Sequence, residues 1–506
     1  ASVEILLLFS AFVIATCGLV YELIAGALAS DLLGDSVTQF STIIGTYLFA
    51  MGVGSWLSRY IERNLLAHFV RIELMIGAIG GSSAAALFVL FDQVASFRFW
   101  LYFLVGVTGM LVGIEIPLLL RILEGRLAFK DLVSKVFTFD YIGALFASLL
   151  FPMVLVPHLG LIRSGFLFGI LNTMVAIWML YAIKADSIPR RGAHKAAAFG
   201  VLALLGAGFI WSERIQSISE ASIYPGTVIF AESTPYQRIV VTRQQRDIRL
   251  FLNSNLQFSS LDEYRYHEAL VHPVMSALKA PRKVLIIGGG DGLALREVLK
   301  YPAVEAVTMV DLDPAAMTRL FSSNELMTEL NGGALSSSKL TLVNADAFLW
   351  LRERRPADPR FDVVIIDLPD PSNFSIGKLY SLTFYRQLRS ALNDDGIVVI
   401  QSTSPLVARK SFWCVDNTLA AAGYQTAAYH LFVPSFGEWG FIIGSFSPYR
   451  VPEHLPEGLR FLDLPTMRAM FQFPPDMAHV ASAIQRLDDQ PLVRYFDEEW
   501  GDYLIY

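Results

Sequence analysis

The pattern of apolar residues divides the chain into two halves. Up to about residue 213 the apolar residues form long uninterrupted stretches, whereas from Thr227 onward they occur in short runs separated by polar turns. A hydrocarbon core about 30 Å thick needs roughly 20 apolar residues per helix. Seven such stretches are present: 5–25, 41–57, 69–90, 97–120, 141–156, 165–183 and 196–211. The first half, 1–213, is therefore predicted to be an all-α polytopic membrane domain.

The second half begins with β-rich runs and continues into an alternating α/β pattern. The runs TVIFAE, YQRIVVT and IRLFLN predict a small antiparallel sheet, which we assign with its linker to residues 214–270. The segment KVLIIGGGDGLALREVL then combines a buried strand, a glycine turn and a helix. Gly288, Gly290 and Gly292 allow a tight turn and a close approach of the backbone to a ligand at the start of the helix. A Rossmann-like domain is predicted over 271–445, followed by an extension over 446–506.

Composition and charge narrow the classes of function. Lys, Arg, Asp and Glu make up about 12% of residues 1–213 and about 20% of the remainder, which matches a bilayer half and a water-soluble half. The formal net charge of −6 argues against a nucleic-acid partner. The two cysteines, Cys17 and Cys414, support neither a disulfide framework nor a cysteine metal site.

Basic residues between the apolar stretches predict an orientation in the membrane. Eleven Lys and Arg residues fall in three alternate loops, within 59–71, 121–135 and 184–195, whereas the intervening loops hold only Arg98 and Arg163. This bias places the N-terminus in the cytoplasm and, after seven spans, the second half on the opposite face.

Acidic residues occur within or beside the apolar stretches. Glu22, Glu73, Glu115 and Asp140 are costly in lipid, so they indicate either a polar cavity for a cation or positions at helix ends. The sequence leaves both interpretations open.

Acidic residues also end the predicted strands of the second half. Asp311 follows the glycines by about 20 residues, where a carboxylate binds ribose hydroxyls, and Asp346 ends a third strand, where it can accept from an adenine amino group. Asp367 and Asp370 end a fourth strand. No Lys follows the glycines, which excludes a P-loop, so the pattern predicts a site for an adenosine compound without phosphates. Helix capping by Asp311 or Asp346, and a turn role for Asp367, are the structural alternatives.

Eight segments resemble the successive motifs of the spermidine synthases, the polyamine aminopropyltransferases. They are TPYQRIVV, LFLNSNLQFSSLDEYRYHEALVHP, VLIIGGGDG, VDLD, NADAF, IIDLPDP, VIQSTSP and VPSFGEWGF, in the family order over about 225–445. The preceding apolar stretches make the chain similar to the bacterial membrane-bound branch of this family. The resemblance implies transfer of the 3-aminopropyl group of decarboxylated S-adenosylmethionine to an amine, by default putrescine, giving spermidine and methylthioadenosine. It also implies a homodimer and a multi-pass protein of the bacterial inner membrane.

The resemblance assigns roles to individual residues. Asp367 matches the general base, Asp291 the residue that holds the ammonium tail of the aminopropyl donor, and Tyr266 the residue that orients the amine. Residues matching donor-binding positions are Gln237, Gln257, His267, Gly288, Gly290, Asp291, Gly292, Asp311, Asp346 and Ala347. Residues matching acceptor-binding positions are Asp370, Gln401 and Trp439.

The sequence departs from the family mainly on the acceptor side. Phe436 stands where soluble members carry a Tyr, and we expect Glu438 to replace the missing hydroxyl. The segment 371–378 is predicted to form a lid over the site, with an exposed connector as the alternative. No metal is expected, because His267 and His272 are five residues apart and face different sides of a helix.

Two other functions and one conflict stay open at this point. An amine N-methyltransferase using S-adenosylmethionine would share the fold, although Asp291 and Asp367 together argue against it. A polyamine transporter or sensor that binds the nucleoside without turnover is the alternative from another class. The conflict concerns location: the basic loops place the second half outside the cytoplasm, whereas its substrates are made inside.

Overall fold

The computed structural model describes residues 2–33, 36–91, 97–124, 129–182, 188–215, 224–234, 236–313 and 317–504. The chain folds into two compact units, which we call the helical unit (Ala1–Gly226) and the α/β unit (Thr227–Tyr506). Each has its own apolar core: one is formed by the long helices and the other by the faces of the strands.

Long helices form the helical unit. They are α1 (Ser2–Leu33), α2 (Ser36–Leu57), α3 (Leu65–Phe91), α4 (Phe97–Leu123), α5 (Phe129–Leu150), α6 (Val156–Ala182) and α7 (Arg191–Ile210). The predicted apolar stretches fall within these helices to within a few residues, except that 141–156 runs through a π-helical turn (Phe151–Leu155) into α6. Residue 183, which ends the sixth predicted stretch, lies outside the described residues.

The stretch from α5 to α6 is continuous in sequence but reverses in space. By length and composition, 6 helical stretches of the described chain can cross a membrane, and the one over 130–182 has 53 residues. The Thr16 hydroxyl donates to the Gly143 carbonyl at 3.3 Å, and the Cys17 thiol donates to the Phe168 carbonyl at 3.7 Å. In a straight helix Gly143 and Phe168 would be about 37 Å apart, yet both contact the same turn of α1. The chain therefore turns back between them, and Gly160, at φ +71°, breaks the helix there.

The α/β unit begins with a four-stranded antiparallel sheet. Its strands β1 (Thr227–Ser233), β2 (Arg238–Gln244), β3 (Asp247–Leu252) and β4 (Asn255–Ser259) pair in sequence order. The inward side chains of this sheet pack against Leu293, Leu320 and Phe321 of the following domain. The small sheet therefore covers the region just after the glycine turn.

A seven-stranded sheet forms the centre of the α/β unit. Its order is β10-β11-β9-β8-β5-β6-β7, with β5 to β9 parallel to one another and β11 antiparallel to β9. The strands are β5 (Lys283–Gly288), β6 (Ala306–Asp311), β7 (Leu340–Asn344), β8 (Phe361–Asp367), β9 (Leu392–Gln401), β10 (Gln425–Val433) and β11 (Gly437–Ser445). Near-continuous apolar runs such as VLII and VVII are typical of strands covered on both faces. The Rossmann-like fold predicted from the sequence is confirmed.

Helices cover both faces of this sheet. In chain order they are α8 (Glu263–Met275), α9 (Leu293–Val298), α10 (Met317–Ser323), α11 (Glu325–Leu330), α12 (Ala347–Glu353), α13 (Phe374–Gly377), α14 (Leu382–Ala391), α15 (Arg409–Ala421), α16 (Leu464–Met470) and α17 (Pro491–Leu504). The last two belong to the extension predicted from residue 446 onward.

The extension packs on the α/β unit through a buried carboxylate. Glu268 of α8 is 1% exposed, and its oxygens accept the backbone N–H groups of Arg460, Phe461 and Leu462 at 2.7, 2.8 and 2.9 Å. Hydrogen bonds to an ionised group are stronger than those to a neutral group. Glu268 therefore fixes the path of the extension across α8.

Glu268→Gln is expected to lower the free energy of unfolding of the α/β unit by about 2 kcal/mol. In the glutamine side chain an NH₂ group replaces one of the two acceptor oxygens. This NH₂ group then faces a backbone N–H, so that two donors oppose each other and a hydrogen bond is lost. Denaturation followed by tryptophan fluorescence measures the loss, and Glu453→Gln, an exposed acid of the same extension, is the control. A variant as stable as the parent would contradict this role.

Candidate active site

The predicted site lies where β5 and β8 end side by side. A Cβ added to Gly288 would lie 2.1 Å from the carbonyl oxygen of Asp367, and φ at Gly288 is +81°. The N–H of Gly289 donates to the same carbonyl at 3.2 Å. Glycine is therefore required at position 288, because the two strand ends are in direct backbone contact.

Tyr266 and Asp367 form the central pair of the site. The Tyr266 hydroxyl donates to Oδ1 of Asp367 at 2.8 Å. Burial raises the pKa of the Asp367 carboxyl, while the nearby His267 and the Tyr266 hydroxyl lower it. Tyr266 comes from α8, which packs across β8 and β9. The structure thus brings together two residues 101 positions apart that the sequence predicts to act together.

Asp291 lies on the turn between β5 and α9. Its Oδ1 accepts the N–H of Leu293 at 2.9 Å, which fixes the carboxyl at the start of the helix. Burial raises the pKa of Asp291 to about 6, an effect that His267 opposes and that Asp367 reinforces. Two partly buried carboxyls that repel each other form a site that gains from a bound cation.

Three charged side chains that bond to one another lie beside these carboxyls. Arg296 bonds both oxygens of Glu263 at 2.9 Å, and Nδ1 of His267 lies 2.9 Å from Oε2 of Glu263. Burial lowers the pKa of His267, but Glu263 outweighs burial and raises it to about 9. His267 is therefore cationic at neutral pH and lowers the pKa of both Asp291 and Asp367.

His272 plays a different part from His267. Its Nε2 lies 2.9 Å from Glu297 and its Nδ1 lies 2.8 Å from the Tyr301 hydroxyl, all within the core. The two histidines thus have separate partners.

Asp370 and Gln401 form the second part of the site. The Gln401 amide donates to Oδ1 of Asp370 and to the Leu368 carbonyl, both at 3.0 Å. The backbone N–H of Thr403 donates to the side-chain oxygen Oε1 of Gln401 at 2.8 Å, so the orientation of the amide is fixed. Burial raises the pKa of Asp370 to about 7, against the hydrogen bonds from Gln401 and Thr403.

Trp439 completes this side and has an unsatisfied polar group. It is 8% exposed, and its ring lies 5.1 Å from that of Phe436, which itself lies 6.2 Å from that of Tyr266. Within the described part of the chain, the indole N–H of Trp439 has no hydrogen-bond partner although it is buried. Such an atom marks a place where a ligand or a water binds.

The extension contributes a residue that sequence reasoning missed. Trp500 of α17 donates from Nε1 to the Thr403 hydroxyl at 3.2 Å, and its ring lies 6.4 Å from that of Trp439. Thr403 in turn bonds Asp370. The one available signal was the amphipathic pattern of PLVRYFDEEWGDYL, which indicates that an apolar helix face needs a partner.

Asp311 and Asp346 lie on the predicted nucleoside side. Asp311 ends β6 and accepts the N–H of Asp313 at 2.7 Å, and a Cβ on Gly290 would lie 2.8 Å from its Oδ2. Asp346 caps α12 by accepting the N–H of Phe348 at 2.9 Å. Its other oxygen binds the Lys378 ammonium at 2.5 Å. Both oxygens of Asp346 therefore already have partners, and the capping role considered as an alternative is present.

Four other predicted donor-binding residues differ in where they lie and in what they contact. Ala347 is the first residue of α12 and is buried, and Gly292 is the positive-φ residue that precedes α9. The Gln237 amide reaches Asp313 at 3.5 Å, which places it near Asp311. The Gln257 amide donates to the Asn255 carbonyl at 3.2 Å, within its own strand.

Glu438 does not join the cluster as expected. It pairs with Nδ1 of His430 on the neighbouring strand at 2.5 Å, and His430 bonds the Gln472 carbonyl at 2.9 Å through Nε2. Side chains of adjacent strand residues point to opposite faces of a sheet. Trp439 lies in the same core cluster as Tyr266 and Phe441, so Glu438 faces away from them.

The segment 371–378 is held at its C-terminal end by the extension. The buried Gln485 donates to the Gly377 carbonyl at 3.0 Å, and Asn373 caps the short α13 by accepting the N–H of Ile376 at 3.0 Å. With Lys378 on Asp346, this segment spans from the end of β8 to the start of α12. Movement of this segment as a lid stays a prediction.

Known proteins resemble this chain over its whole length. The family model for the spermine/spermidine synthase domain matches residues 263–454. A polyamine aminopropyltransferase 2 of Ralstonia nicotianae is 57% identical, with 99% of both chains covered. A polyamine aminopropyltransferase of Leptospira interrogans is 52% identical over 98% of this chain and 99% of that protein. The crystal structure of a spermidine synthase from Thermotoga maritima is 25% identical, with a TM-score of 0.43, over 49% of this chain and 85% of that chain.

Proposed function

Because the chain belongs to the polyamine aminopropyltransferases of the spermine/spermidine synthase family, we propose that it transfers the 3-aminopropyl group of decarboxylated S-adenosylmethionine to an aliphatic amine. Putrescine is the default acceptor, with spermidine and methylthioadenosine as products. The observation that carries this proposal is the meeting of three partly buried carboxyls, Asp291, Asp367 and Asp370, of which Asp367 accepts a hydrogen bond from the Tyr266 hydroxyl.

The charges of the site match the charges of the substrates. The donor substrate carries a sulfonium and an ammonium and has no carboxylate, and the acceptor amine is also a cation in water. A cluster of partly buried carboxyls favours such ligands, because each cation relieves the repulsion between the acids. We assign Asp291 to the ammonium tail of the donor and Asp370, held by Gln401, to the acceptor amine.

The reaction needs a base for the acceptor. An amine with a pKa of about 10.4 is neutral in only about one molecule per 10³ at pH 7, a cost of roughly 4 to 5 kcal/mol. In the proposed step the proton of the attacking nitrogen passes to Asp367, the nitrogen lone pair forms the new C–N bond, and the C–S pair remains on sulfur. Tyr266 holds one oxygen of Asp367, and the elevated pKa of Asp367 makes it a better base than an exposed Asp.

The nucleoside part is assigned to the ends of β6 and β7. Asp311, whose carboxyl lies next to Gly290, is assigned to the ribose hydroxyls. Ala347, at the first turn of α12, is assigned to the adenine. Because Asp346 caps α12 and binds Lys378, we assign it to holding this helix and segment 371–378 in place. Gln237, Gln257 and His267 remain proposed donor contacts.

Product analysis tests the function directly. The purified full-length protein is incubated with decarboxylated S-adenosylmethionine labelled in the aminopropyl group and with a panel of amines. We expect methylthioadenosine and a labelled polyamine in equal amounts. Methyl transfer from S-adenosylmethionine would indicate the N-methyltransferase instead. Nucleoside binding without product for any amine would indicate a transporter or sensor.

The pH dependence of donor binding follows from Asp291. Its carboxyl, with a pKa of about 6, is neutral below that pH and ionised above it. Affinity for the cationic donor should therefore rise about tenfold between pH 5 and pH 7 and level off above pH 7. Calorimetry without acceptor measures this, since the donor ammonium stays charged throughout. In Asp291→Asn the affinity should no longer change over this range, and an unchanged profile would contradict the assignment.

Trp500→Ala is expected to raise KM for the acceptor amine about tenfold and to leave KM for the donor unchanged. The substitution removes an aromatic wall next to Trp439 and the hydrogen bond to Thr403, which bonds Asp370. Steady-state kinetics with each substrate varied in turn measures the split. Tyr495→Phe is the control, since Tyr495 lies on the same helix but contacts Lys410. Equal effects on both KM values would indicate a general structural role.

We further propose that the helical unit is embedded in the bacterial inner membrane. In the described chain, 6 helical stretches are long and apolar enough to cross a membrane, which is compatible with this location. Protease digestion of oriented vesicles determines which side of the membrane carries the α/β unit. Digestion of this unit by protease added outside would agree with the orientation predicted from the basic loops. Protection would agree with substrates that are made in the cytoplasm.

The homodimer implied by the family also remains a prediction, and mass photometry of the solubilised protein tests it.

A further inference from the structure

The C-terminal helix α17 reaches the acceptor side of the proposed site through Trp500. One path from the proposed base to this residue consists of polar side chains. Asp370 follows Asp367 by three residues, and the Thr403 hydroxyl bonds Asp370. The same hydroxyl accepts the indole N–H of Trp500 at 3.2 Å. A hydroxyl has one donor and two acceptor lone pairs, so Thr403 can link the acceptor carboxyl to Trp500.

The backbone at Thr403 is in an unusual conformation. Thr403 is 0% exposed and has φ +59°, in a left-handed region that β-branched residues rarely adopt. Its N–H donates to Oε1 of Gln401, and its carbonyl accepts the N–H of Gly440 at 2.7 Å. Such conformations persist where the surroundings fix them, and they cluster at functional sites. The turn therefore holds the Thr403 hydroxyl between Asp370 and Trp500.

A second path from the proposed base to Trp500 consists of aromatic rings. Tyr266, which bonds Asp367, lies 6.2 Å from Phe436 between ring centroids. Phe436 lies 5.1 Å from Trp439, and Trp439 lies 6.4 Å from Trp500. We call these four rings the ring series. Aromatic faces attract ammonium groups and pack against methylene groups, so the ring series suits a linear amine whose attacking nitrogen lies at Asp367.

Trp500 is held in place by its neighbour in the chain. The Glu499 carboxylate accepts the N–H groups of Lys410 and Ser411 at 2.7 and 3.0 Å and the Ser411 hydroxyl at 2.7 Å. These N–H groups belong to the first turn of α15, where a carboxylate is favoured. Within α17 the ring of Phe496 lies 6.0 Å from that of Trp500. The position of the Trp500 ring is therefore fixed from both helices.

We propose that Trp500 closes the far end of the acceptor site and restricts the acceptor to short linear diamines such as putrescine. This inference rests on the proposed function and names the acceptor class of the same site. With C–C and C–N bonds of about 1.5 Å, the nitrogens of an extended four-carbon diamine are about 6 Å apart. Its far ammonium therefore lies along the ring series, between Tyr266 and Trp500.

A longer acceptor would meet Trp500. An additional aminopropyl arm, as in spermidine, lengthens the chain by about 5 Å, and both paths from Asp367 end at the Trp500 ring. The product of the first transfer is therefore too long to serve as the next acceptor. The reaction stops after one aminopropyl group has been added.

A series of acceptors of increasing length tests this inference on the unmodified full-length protein. Aminopropyl transfer is measured with putrescine, with longer linear diamines up to 1,8-diaminooctane, and with spermidine. We expect kcat/KM to be at least tenfold lower for 1,8-diaminooctane and for spermidine than for putrescine. Equal use of spermidine and putrescine would overturn the inference and leave the proposed function intact. Transfer to none of the amines would overturn the proposed function as well.

Trp500→Ala should open the far end of the site. We expect kcat/KM for spermidine to increase at least threefold, and its ratio to kcat/KM for putrescine to increase at least tenfold. A general loss of structure would lower both values. Trp500→Phe, which keeps a ring at this position, should retain the parental ratio within about threefold. Tyr495→Ala is the matched control, because it removes from the same helix a ring that contacts Lys410.

A folded Trp500→Ala variant, as judged by circular dichroism, that retains the parental preference for putrescine would overturn the inference. The same change of preference in Tyr495→Ala would also overturn it, because the effect would then belong to the helix and not to the Trp500 ring. If Trp500→Ala does not fold, Trp500→Leu, which shortens the side chain but keeps it apolar, provides the same test.

Discussion

Asp367→Asn is expected to lower kcat for aminopropyl transfer about 10³-fold while the donor Kd changes by less than about threefold. The amide preserves the shape of the side chain and can still accept from Tyr266, but it cannot take a proton from the attacking amine. Steady-state kinetics at saturating substrates measures kcat, and calorimetry measures donor binding. The two readouts together separate the loss of a base from the loss of a binding site.

Tyr266→Phe is the companion variant for this prediction. It removes the hydrogen bond of 2.8 Å to Asp367 and leaves the ring in place against Phe436 and Phe441. We expect a smaller loss of kcat, about tenfold, because the base remains but its orientation is less fixed. If Asp367→Asn lowers kcat and donor affinity equally, Asp367 belongs to the donor site and another group removes the proton.

Asp291→Asn is expected to reduce the preference for the decarboxylated donor over S-adenosylmethionine about 100-fold. The ionised carboxyl attracts an ammonium tail and repels a carboxylate, and breaking a buried charge pair commonly costs 2–5 kcal/mol or more, whereas about 2.7 kcal/mol suffices for a factor of 100. Competition between the two nucleosides for binding to the full-length protein gives the ratio directly.

The control for this variant is an acid elsewhere in the α/β unit. Asp416→Asn on α15 alters a carboxyl that bonds Thr426 and lies outside the cluster, and it should leave the ratio unchanged. If Asp291→Asn weakens the binding of both nucleosides to the same extent, Asp291 acts only on the shape of the glycine turn and not on the charge of the ligand.

The parts of the fold that depend on local pattern could be predicted from the sequence. Apolar stretches of helical length indicated the helices of the first unit, and short apolar runs bounded by glycines indicated β5 and β8. The reversal between Gly143 and Phe168 was harder, because the residues around Gly160 are as apolar as those within the helices. The stretch predicted over 141–156 consequently crossed a π-helical turn.

The parts of the site that depend on distant contacts could not be predicted in the same way. Trp500 lies 97 residues beyond Thr403, and Lys378 lies 32 residues beyond Asp346, so no local spacing relates them. Glu438 is a different case, because the two-residue period of a strand places it opposite its neighbour Trp439. Two adjacent residues of a strand point to opposite faces of the sheet, so they do not share a role on one face. Strand geometry alone therefore argues against the expected role of Glu438.

The buried indole N–H of Trp439, which has no partner among the residues that the structure describes, has a consequence for inhibitors. Linear diamines offer only methylene groups between their ends, so they leave this buried donor unsatisfied, at a cost of about 1–3 kcal/mol. A diamine analogue with an ether oxygen in place of one methylene would supply the missing acceptor. Such a compound should inhibit by competing with the natural amine, and the gain in potency should disappear in a Trp439→Phe enzyme.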